Sequence, residues 1–167
     1  RDAALAASVG RVAAQMIPYR ARAPFDWAAL LHLIRSEFAY MEPRIDPPSS
    51  MHRLTEADIA AKAETGEVWV IGSPPVACVF LTHQPDSLYI GKLAVAADQR
   101  GKGLARALID VAEARARDLG LGWLELETRV ELLENHAAFA RMGFQEVGRK
   151  AHAGFDRPTS ITFRRAV

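Results

Sequence analysis

Cysteine is almost missing from this chain of 167 residues, which contains only Cys78. A single cysteine excludes an internal disulfide framework and is typical of proteins from a reducing compartment. Cys78 lies in the apolar run 76–81, where a small buried side chain is a more ordinary role than a nucleophile. We therefore expect a cytoplasmic location and no covalent chemistry at a thiol.

An excess of charge of one sign is missing too. The 21 lysines and arginines are balanced by 20 acidic residues, and no run of basic residues exceeds two. This distribution gives no reason to expect nucleic acid as a partner. No apolar run approaches the length that crosses a bilayer, and the acid within residues 1–7 makes the start a poor signal peptide. We expect no membrane partner either.

Spacings that indicate a metal or a common nucleotide loop are also absent. No pattern of His, Cys or carboxylate residues suggests a metal site, so we predict none. A Walker-type loop requires Gly-Lys-Ser or Gly-Lys-Thr, and a dinucleotide-binding turn requires a third glycine after the first strand. The chain contains neither pattern.

The residues that are present predict a mixed α/β domain of the α+β class. Half of the residues are hydrophobic and a quarter are charged, which suits one soluble domain over 1–167 with a helical extension at 1–14. Predicted strands cover 15–20, 68–71, 76–81, 88–95, 123–128, 145–149 and 160–164; predicted helices cover 27–41, 55–64, 103–119 and 135–142. Short links favour an antiparallel meander in the middle of the chain, and a helical crossover then makes the next strand parallel.

The most informative feature is the turn Arg100-Gly101-Lys102-Gly103-Leu104-Ala105, between an apolar strand and an amphipathic helix. Glycines at such a turn let backbone N–H groups point at one spot, and the helix adds unpaired N–H groups and its dipole. A plain tight turn is the simpler alternative, but the two basic side chains favour an anion site. We predict that the turn binds a phosphate or pyrophosphate.

Together with its neighbours, this turn resembles the GNAT superfamily of acetyl-CoA-dependent N-acetyltransferases. The family's pyrophosphate signature, Arg or Gln followed by x-x-Gly-x-Gly/Ala, is matched by Arg100, Gly103 and Ala105. A helix that ends in Gly-Phe is matched by Gly143-Phe144, and the resemblance covers about residues 68–163. It implies a mixed, mostly antiparallel sheet that splays between two parallel strands, with helices on both faces.

The resemblance also implies how acetyl-CoA is bound. Pantetheine would lie in the splay and pair with the main chain of residues 93–95, while the pyrophosphate binds the amides of residues 100–105. The implied cofactor-binding residues are Leu93, Ala94, Val95, Arg100, Gly101, Lys102, Gly103, Leu104, Ala105, Asn135 and Phe139. Because backbone makes most of this site, a bulky residue at Gly103 should matter more than other changes.

The implied chemistry is direct attack of an uncharged amine on the thioester, with the Leu93 backbone N–H as oxyanion donor. Two side chains common in the family are replaced here, an acid by Gly91 and a tyrosine by Phe139. Glu127 is then the candidate proton acceptor through water, and Tyr89 the candidate that orients a water or lines the pocket. A solvated carboxylate and a half-buried strand tyrosine are their simpler roles.

The acceptor pocket is expected between the first helix, the loop after it and the C-terminal segment. The substrate-binding candidates are Phe38, Tyr40, Arg44 and Thr128. Core packing is the alternative for both aromatic residues, whereas the fork of Arg44 suits a substrate carboxylate. Segment 152–158 serves equally well as a pocket wall or as a homodimer contact.

Three functions stay open at this point. The first is acetyl transfer to a primary amine of a small molecule, in a ternary complex. The second is an acetyl-CoA-binding sensor with little catalysis, which the departures at Gly91 and Phe139 motivate. The third is acetylation of a protein N-terminus or lysine, which an open groove beside Thr128 would support.

Overall fold

The computed structural model describes residues 16–167, so the predicted helix 1–14 lies outside the described residues. The strands are β1 (Tyr19–Arg20), β2 (Glu67–Ile71), β3 (Ala77–His83), β4 (Ser87–Val95), β5 (Trp123–Arg129), β6 (Gln145–Lys150) and β7 (Ser160–Ala166). The α-helices are α1 (Trp27–Ala39), α2 (Glu56–Thr65), α3 (Leu104–Asp118) and α4 (Leu133–Arg141). Short 3-10 turns lie at Ser50–Arg53 and Ala97–Gln99.

The seven strands form one sheet in the order β1-β2-β3-β4-β5-β7-β6. Strands β4 and β5 pair in parallel, and every other pair of neighbours in the described chain is antiparallel. The parallel pair requires a crossover, which α3 supplies. The predicted mixed, mostly antiparallel sheet is confirmed.

The two parallel strands separate before either one ends. Their pairing stops at Ile90 with Leu126, although β4 continues to Val95 and β5 to Arg129. The β3–β4 register shifts in the same stretch, where Lys92 has a φ of 46°. Such a β-bulge bends the strand that carries it. The predicted splay therefore opens beyond Ile90.

Local capping signals begin two helices at the predicted residues. The Asp26 side chain accepts a hydrogen bond from the Ala29 N–H at 3.0 Å and caps α1. Thr55 and Asp58 form a reciprocal capping box at the start of α2. Helix α1 ends at Ala39, two residues before the predicted end, since the ring of Pro43 would clash with the carbonyl of residue 39.

Other boundaries also differ from the predictions. Strand β1 has two residues because Pro18 has no N–H to donate to a longer ladder. Helix α4 begins at Leu133, two residues before the predicted start.

Helices cover both faces of the sheet, as predicted. Helices α1 and α2 bury Leu30, Ile34 and Ile59 against β2 and β3. On the other face, α3 buries Leu108 and Ile109 against the central strands. Among residues 16–167, the helices are too short or too polar to cross a bilayer.

Candidate functional site

The glycine turn before α3 presents a cluster of unpaired backbone N–H groups. Gly101 and Gly103 have φ of +76° and +78°, and a Cβ built on either would meet no atom within 4 Å. Gly103 is the N-cap of α3 and makes no side-chain cap hydrogen bond. Within the described chain, the N–H groups of residues 101–106 find no backbone acceptor. These groups and the helix dipole together favour an anion at this turn.

The two basic side chains of the turn are hydrogen-bonded to neighbouring side chains. The Arg100 guanidinium donates to Glu37 Oε2 at 2.7 Å, and Glu37 Oε1 accepts from the Ala97 N–H at 3.1 Å. The ammonium group of Lys102 donates to Gln99 Oε1 at 3.1 Å. The Glu37 contact, missed by the sequence analysis because it joins residues 63 apart, fastens the turn to α1.

A cavity of about 200 Å³ lies between α1, the end of β4 and α4. Its lining includes seven predicted cofactor-binding residues: Leu93, Ala94, Val95, Arg100, Ala105, Asn135 and Phe139. Gly101, Lys102 and Gly103 belong to the adjoining turn, whereas the Leu104 side chain is 6% exposed and packs in the core. We call this cavity the donor slot.

A second cavity, of about 320 Å³, lies beside the separated ends of β4 and β5. It is lined by Tyr89–Leu93 of β4, Leu126–Arg129 of β5, the end of α1, residues 49–51, His152 and Ser160. We call it the acceptor cavity. The donor slot shares with it Phe38, Met41, Leu93, Asn135 and Phe139. The two cavities therefore meet at Leu93.

Leu93 lies in the bulge of β4, where its main chain has no partner residue. In the register of β3 with β4, Cys78 pairs with Ala94 and Phe80 with Gly91, so Lys92 and Leu93 are skipped. The Cys78 thiol donates to the Lys92 carbonyl at 3.6 Å, and burial raises the pKa of this thiol to about 12. Cys78 thus supports the bulge as a buried thiol.

Tyr89 and Glu127 line the acceptor cavity on the same face of the sheet. Burial, with smaller contributions from the charges of Glu127 and Glu125, raises the pKa of Tyr89 to about 12. The Tyr89 hydroxyl is therefore protonated at neutral pH and able to donate a hydrogen bond. Glu127 Oε1 accepts from the Lys150 ammonium at 2.7 Å, and this hydrogen bond raises the pKa of Lys150.

Thr128 of β5 lines the acceptor cavity, whereas Phe139 of α4 lines both cavities. Thr128 is 8% exposed and lines the acceptor cavity, and Asn135 Nδ2 approaches Thr128 Oγ1 at 3.5 Å. The ring of Phe139 packs 5.9 Å from Phe144 and 6.5 Å from Phe163. Phe139 therefore offers an apolar wall and no proton.

The remaining acceptor candidates differ in their placement. Phe38 lines both cavities, whereas Tyr40 lines the donor slot, with the guanidinium of Arg100 5.5 Å from its ring centroid. The fork of Arg44 does not point into the acceptor cavity but pairs with Glu134 at 2.5 and 2.9 Å. That hydrogen-bonded pair lowers the pKa of Glu134 to about 2.

The loop after α1 is tied down over the acceptor cavity by polar contacts. The Asp46 N–H donates to Glu131 Oε2 at 3.0 Å, and the Asp46 carboxylate accepts from Arg157 at 3.1 Å. Arg157 belongs to segment 152–158, whose His152 lines the cavity. These contacts support the pocket-wall interpretation of that segment.

The described residues contain no group of three or more His, Cys, Asp or Glu side chains that could hold a metal ion.

Comparisons with known proteins give the same fold. Residues 27–144 match the acetyltransferase (GNAT) family. The IAA acetyltransferase of Bacillus cereus ATCC 14579 is similar, with 20% identity, a TM-score of 0.62, and coverage of 90% of this chain and 99% of that one. The ribosomal-protein-S18-alanine N-acetyltransferase of Escherichia coli shares 20% identity with a TM-score of 0.64, covering 90% and 94%.

A GNAT family acetyltransferase of Elizabethkingia anophelis, whose structure has acetyl-CoA bound, shares 14% identity with a TM-score of 0.62. The match covers 90% of this chain and 97% of that one. A search of curated proteins found no significant match. Because the family match spans most of the chain and includes both parallel strands and the glycine turn, this chain belongs to the GNAT family of acetyltransferases.

Proposed function

We propose that this protein transfers the acetyl group of acetyl-CoA to a primary amine of a small molecule, in a ternary complex. The observation that carries this proposal is the meeting of the donor slot and the acceptor cavity at Leu93. An amine in one cavity would meet there a thioester in the other. A similar fold, that of the Elizabethkingia anophelis protein, contains acetyl-CoA.

The donor slot suits the chemistry of coenzyme A. The main chain of residues 93–95 is free toward β5 and can pair with the amide groups of pantetheine. The N–H groups of the glycine turn suit the diphosphate. Bound acetyl-CoA supplies the activated acetyl thioester, and the Leu93 N–H stabilises the oxyanion that forms during attack.

The size of the acceptor cavity favours a small-molecule acceptor over a segment of a protein. Its volume of about 320 Å³ lies at the lower end of the range for small-molecule sites. The loop over it is fastened through Asp46 to Glu131 and Arg157. Similar folds act on differently named acceptors, IAA in one case and a ribosomal-protein alanine in another, so the fold does not choose between them.

Proton transfer is assigned to Glu127 and Tyr89. Glu127 accepts the amine proton through a water, and Lys150 keeps the carboxylate in place. Tyr89, protonated because its pKa is about 12, orients that water. Phe139 has no proton to give, so the thiolate of coenzyme A leaves as an anion.

Replacing Glu127 with Gln is expected to lower kcat by roughly 100-fold, the contribution of a typical general base. The affinity for acetyl-CoA should not change, because Glu127 does not line the donor slot. Glu125→Gln is the matched control, since Glu125 lies on the same strand and is ion-paired with Arg164 at 2.9 Å. The measurement is amine-dependent thiol release. A kcat for E127Q equal to that of the control would mean that Glu127 is not the proton acceptor.

The proposed function is tested by calorimetry with acetyl-CoA and by thiol release across a panel of small amines and short peptides. We expect binding of acetyl-CoA and turnover with small amines. Binding without amine-dependent thiol release would instead support the sensor, which the apolar wall at Phe139 favours. Turnover confined to peptides would support a protein acetyltransferase.

A further inference from the structure

Arg129, at the end of β5, is the arginine that lines the acceptor cavity. Three other arginines near the site each pair with a carboxylate: Arg44 with Glu134, Arg100 with Glu37 and Arg157 with Asp46. Arg129 forms no such pair within residues 16–167. Lys92 also lines the cavity, with its ammonium 5.8 Å from the centroid of the Phe80 ring, and neither Lys92 nor Arg129 is ion-paired with a carboxylate of the described chain.

The hydrogen-bonding capacity of Arg129 is also largely unused. Nη2 donates to the Pro48 carbonyl over a long 3.4 Å, and Nη1 is buried without a partner in the described chain. A buried donor on a charged group costs free energy unless an acceptor reaches it. The planar fork of a guanidinium fits a carboxylate with two parallel hydrogen bonds.

Arg129 lines the same cavity as Leu93, the proposed oxyanion donor. Leu93 and Arg129 each lie three residues beyond the last parallel pair, Ile90 with Leu126. They lie on opposite sides of the splay, and both line the acceptor cavity. A molecule whose amine reaches Leu93 can extend across this cavity to Arg129.

From these contacts we propose that the acceptor is a small amino acid, whose amine is acetylated and whose carboxylate binds Arg129. This inference rests on the proposed function and names its substrate class. Glu127, the carboxylate in the cavity lining, is held by Lys150, and Glu131 accepts from the Asp46 N–H. We therefore assign to Arg129 the carboxylate-binding role that was predicted for Arg44, because the guanidinium of Arg44 is paired with Glu134.

The test compares α- and ω-amino acids with their amides and with the amines that lack the carboxyl group, by amine-dependent thiol release. The parent should favour an acid over its amide by roughly 10- to 100-fold in kcat/KM, the range expected for a charged hydrogen-bonded pair. In Arg129→Met this ratio should fall to about 1, and Arg129→Lys should lie between. Arg117→Met is the matched control, since Arg117 is an exposed arginine of α3 paired with Glu113.

The acid-to-amide ratio separates recognition from support of the loop. Loss of the Pro48 contact alone would lower the rates for acids and amides together and leave their ratio unchanged. A parent that favours amides or simple amines, or an R129M variant that keeps the preference for acids, overturns the inference while acetyl transfer stands.

A separate binding measurement applies if the proposed acetyl transfer itself fails. If no amine or amino acid releases thiol, acetyl transfer fails, and calorimetry of the coenzyme A-loaded protein with the same acids and amides decides the inference. Binding of acids that R129M abolishes and R117M preserves supports the carboxylate site at Arg129 without the acetyl transfer. Absence of acid binding in the parent overturns it.

Discussion

Acetyl-CoA should bind Gly103→Asp at least about 100-fold more weakly than the parent. The φ of +78° strains any residue with a Cβ, by roughly 1–2 kcal/mol. The larger cost is electrostatic, because the new carboxylate would face the diphosphate across the unpaired N–H groups of the turn. Two unit charges about 5 Å apart repel by about 3 kcal/mol at an effective dielectric constant near 20. Calorimetry with acetyl-CoA measures the loss.

Two control variants isolate the charge. Gly103→Asn adds a neutral side chain of the same size, so it should lose only the part of the affinity that strain explains. Gly120→Asp adds a carboxylate at the other end of α3, where φ is +69° and a Cβ meets nothing within 4 Å. It should bind acetyl-CoA like the parent. Equal affinities of G103D and G120D for acetyl-CoA would mean that the diphosphate does not bind at the turn.

Sequence reasoning succeeded where a signal is local. The caps at Asp26 and Thr55, and the turn around Gly103, are patterns of a few adjacent residues with a direct backbone consequence. The parallel pair followed from a helical crossover, which excludes a hairpin. These elements predicted the order of helices and strands, and the resemblance to the GNAT superfamily implied the splay and the acetyl-CoA site.

The acceptor cavity depends on contacts that no local pattern encodes. Arg44 was predicted to bind a carboxylate, and it does so with Glu134, 90 residues away. The bulge at Lys92 depends on the register of two strands, and the sequence of β4 alone does not specify that register. The tertiary structure determines which of several possible partners a side chain contacts. Arg129 is a candidate because the fold places it in the lining of the acceptor cavity.

Glu67 was also missed, and it carries the largest expected effect on stability. It is 0% exposed on β2 and accepts hydrogen bonds from Arg115 at 2.8 Å, His83 at 2.9 Å and Trp69 at 3.0 Å. Burial alone raises the pKa of Glu67, but the hydrogen bonds from Arg115, His83 and Trp69 outweigh it and lower the pKa from 4.5 to about 2. The cluster joins β2, β3 and α3.

Glu67→Gln is expected to lower the free energy of unfolding by about 3–5 kcal/mol at neutral pH, because it removes the buried charge that accepts from Arg115 and His83 and leaves Arg115 with the exposed Asp118 alone. Glu134→Gln is the control. Its carboxyl has a pKa of about 2 as well, but its pair with Arg44 is exposed and screened by solvent, so unfolding should hardly change. Urea unfolding at pH 7 measures both.

The same cluster predicts how stability depends on acid. A carboxyl whose pKa is lower in the folded state stabilises the fold above its unfolded pKa, and this contribution disappears as the pH falls through the folded pKa. For Glu67 the window runs from 4.5 down to about 2. A shift of this size corresponds to roughly 3 kcal/mol. The difference between parent and E67Q should therefore shrink as the pH falls from 4.5 toward 2, whereas a constant difference would mean that the charge of Glu67 does not stabilise the fold.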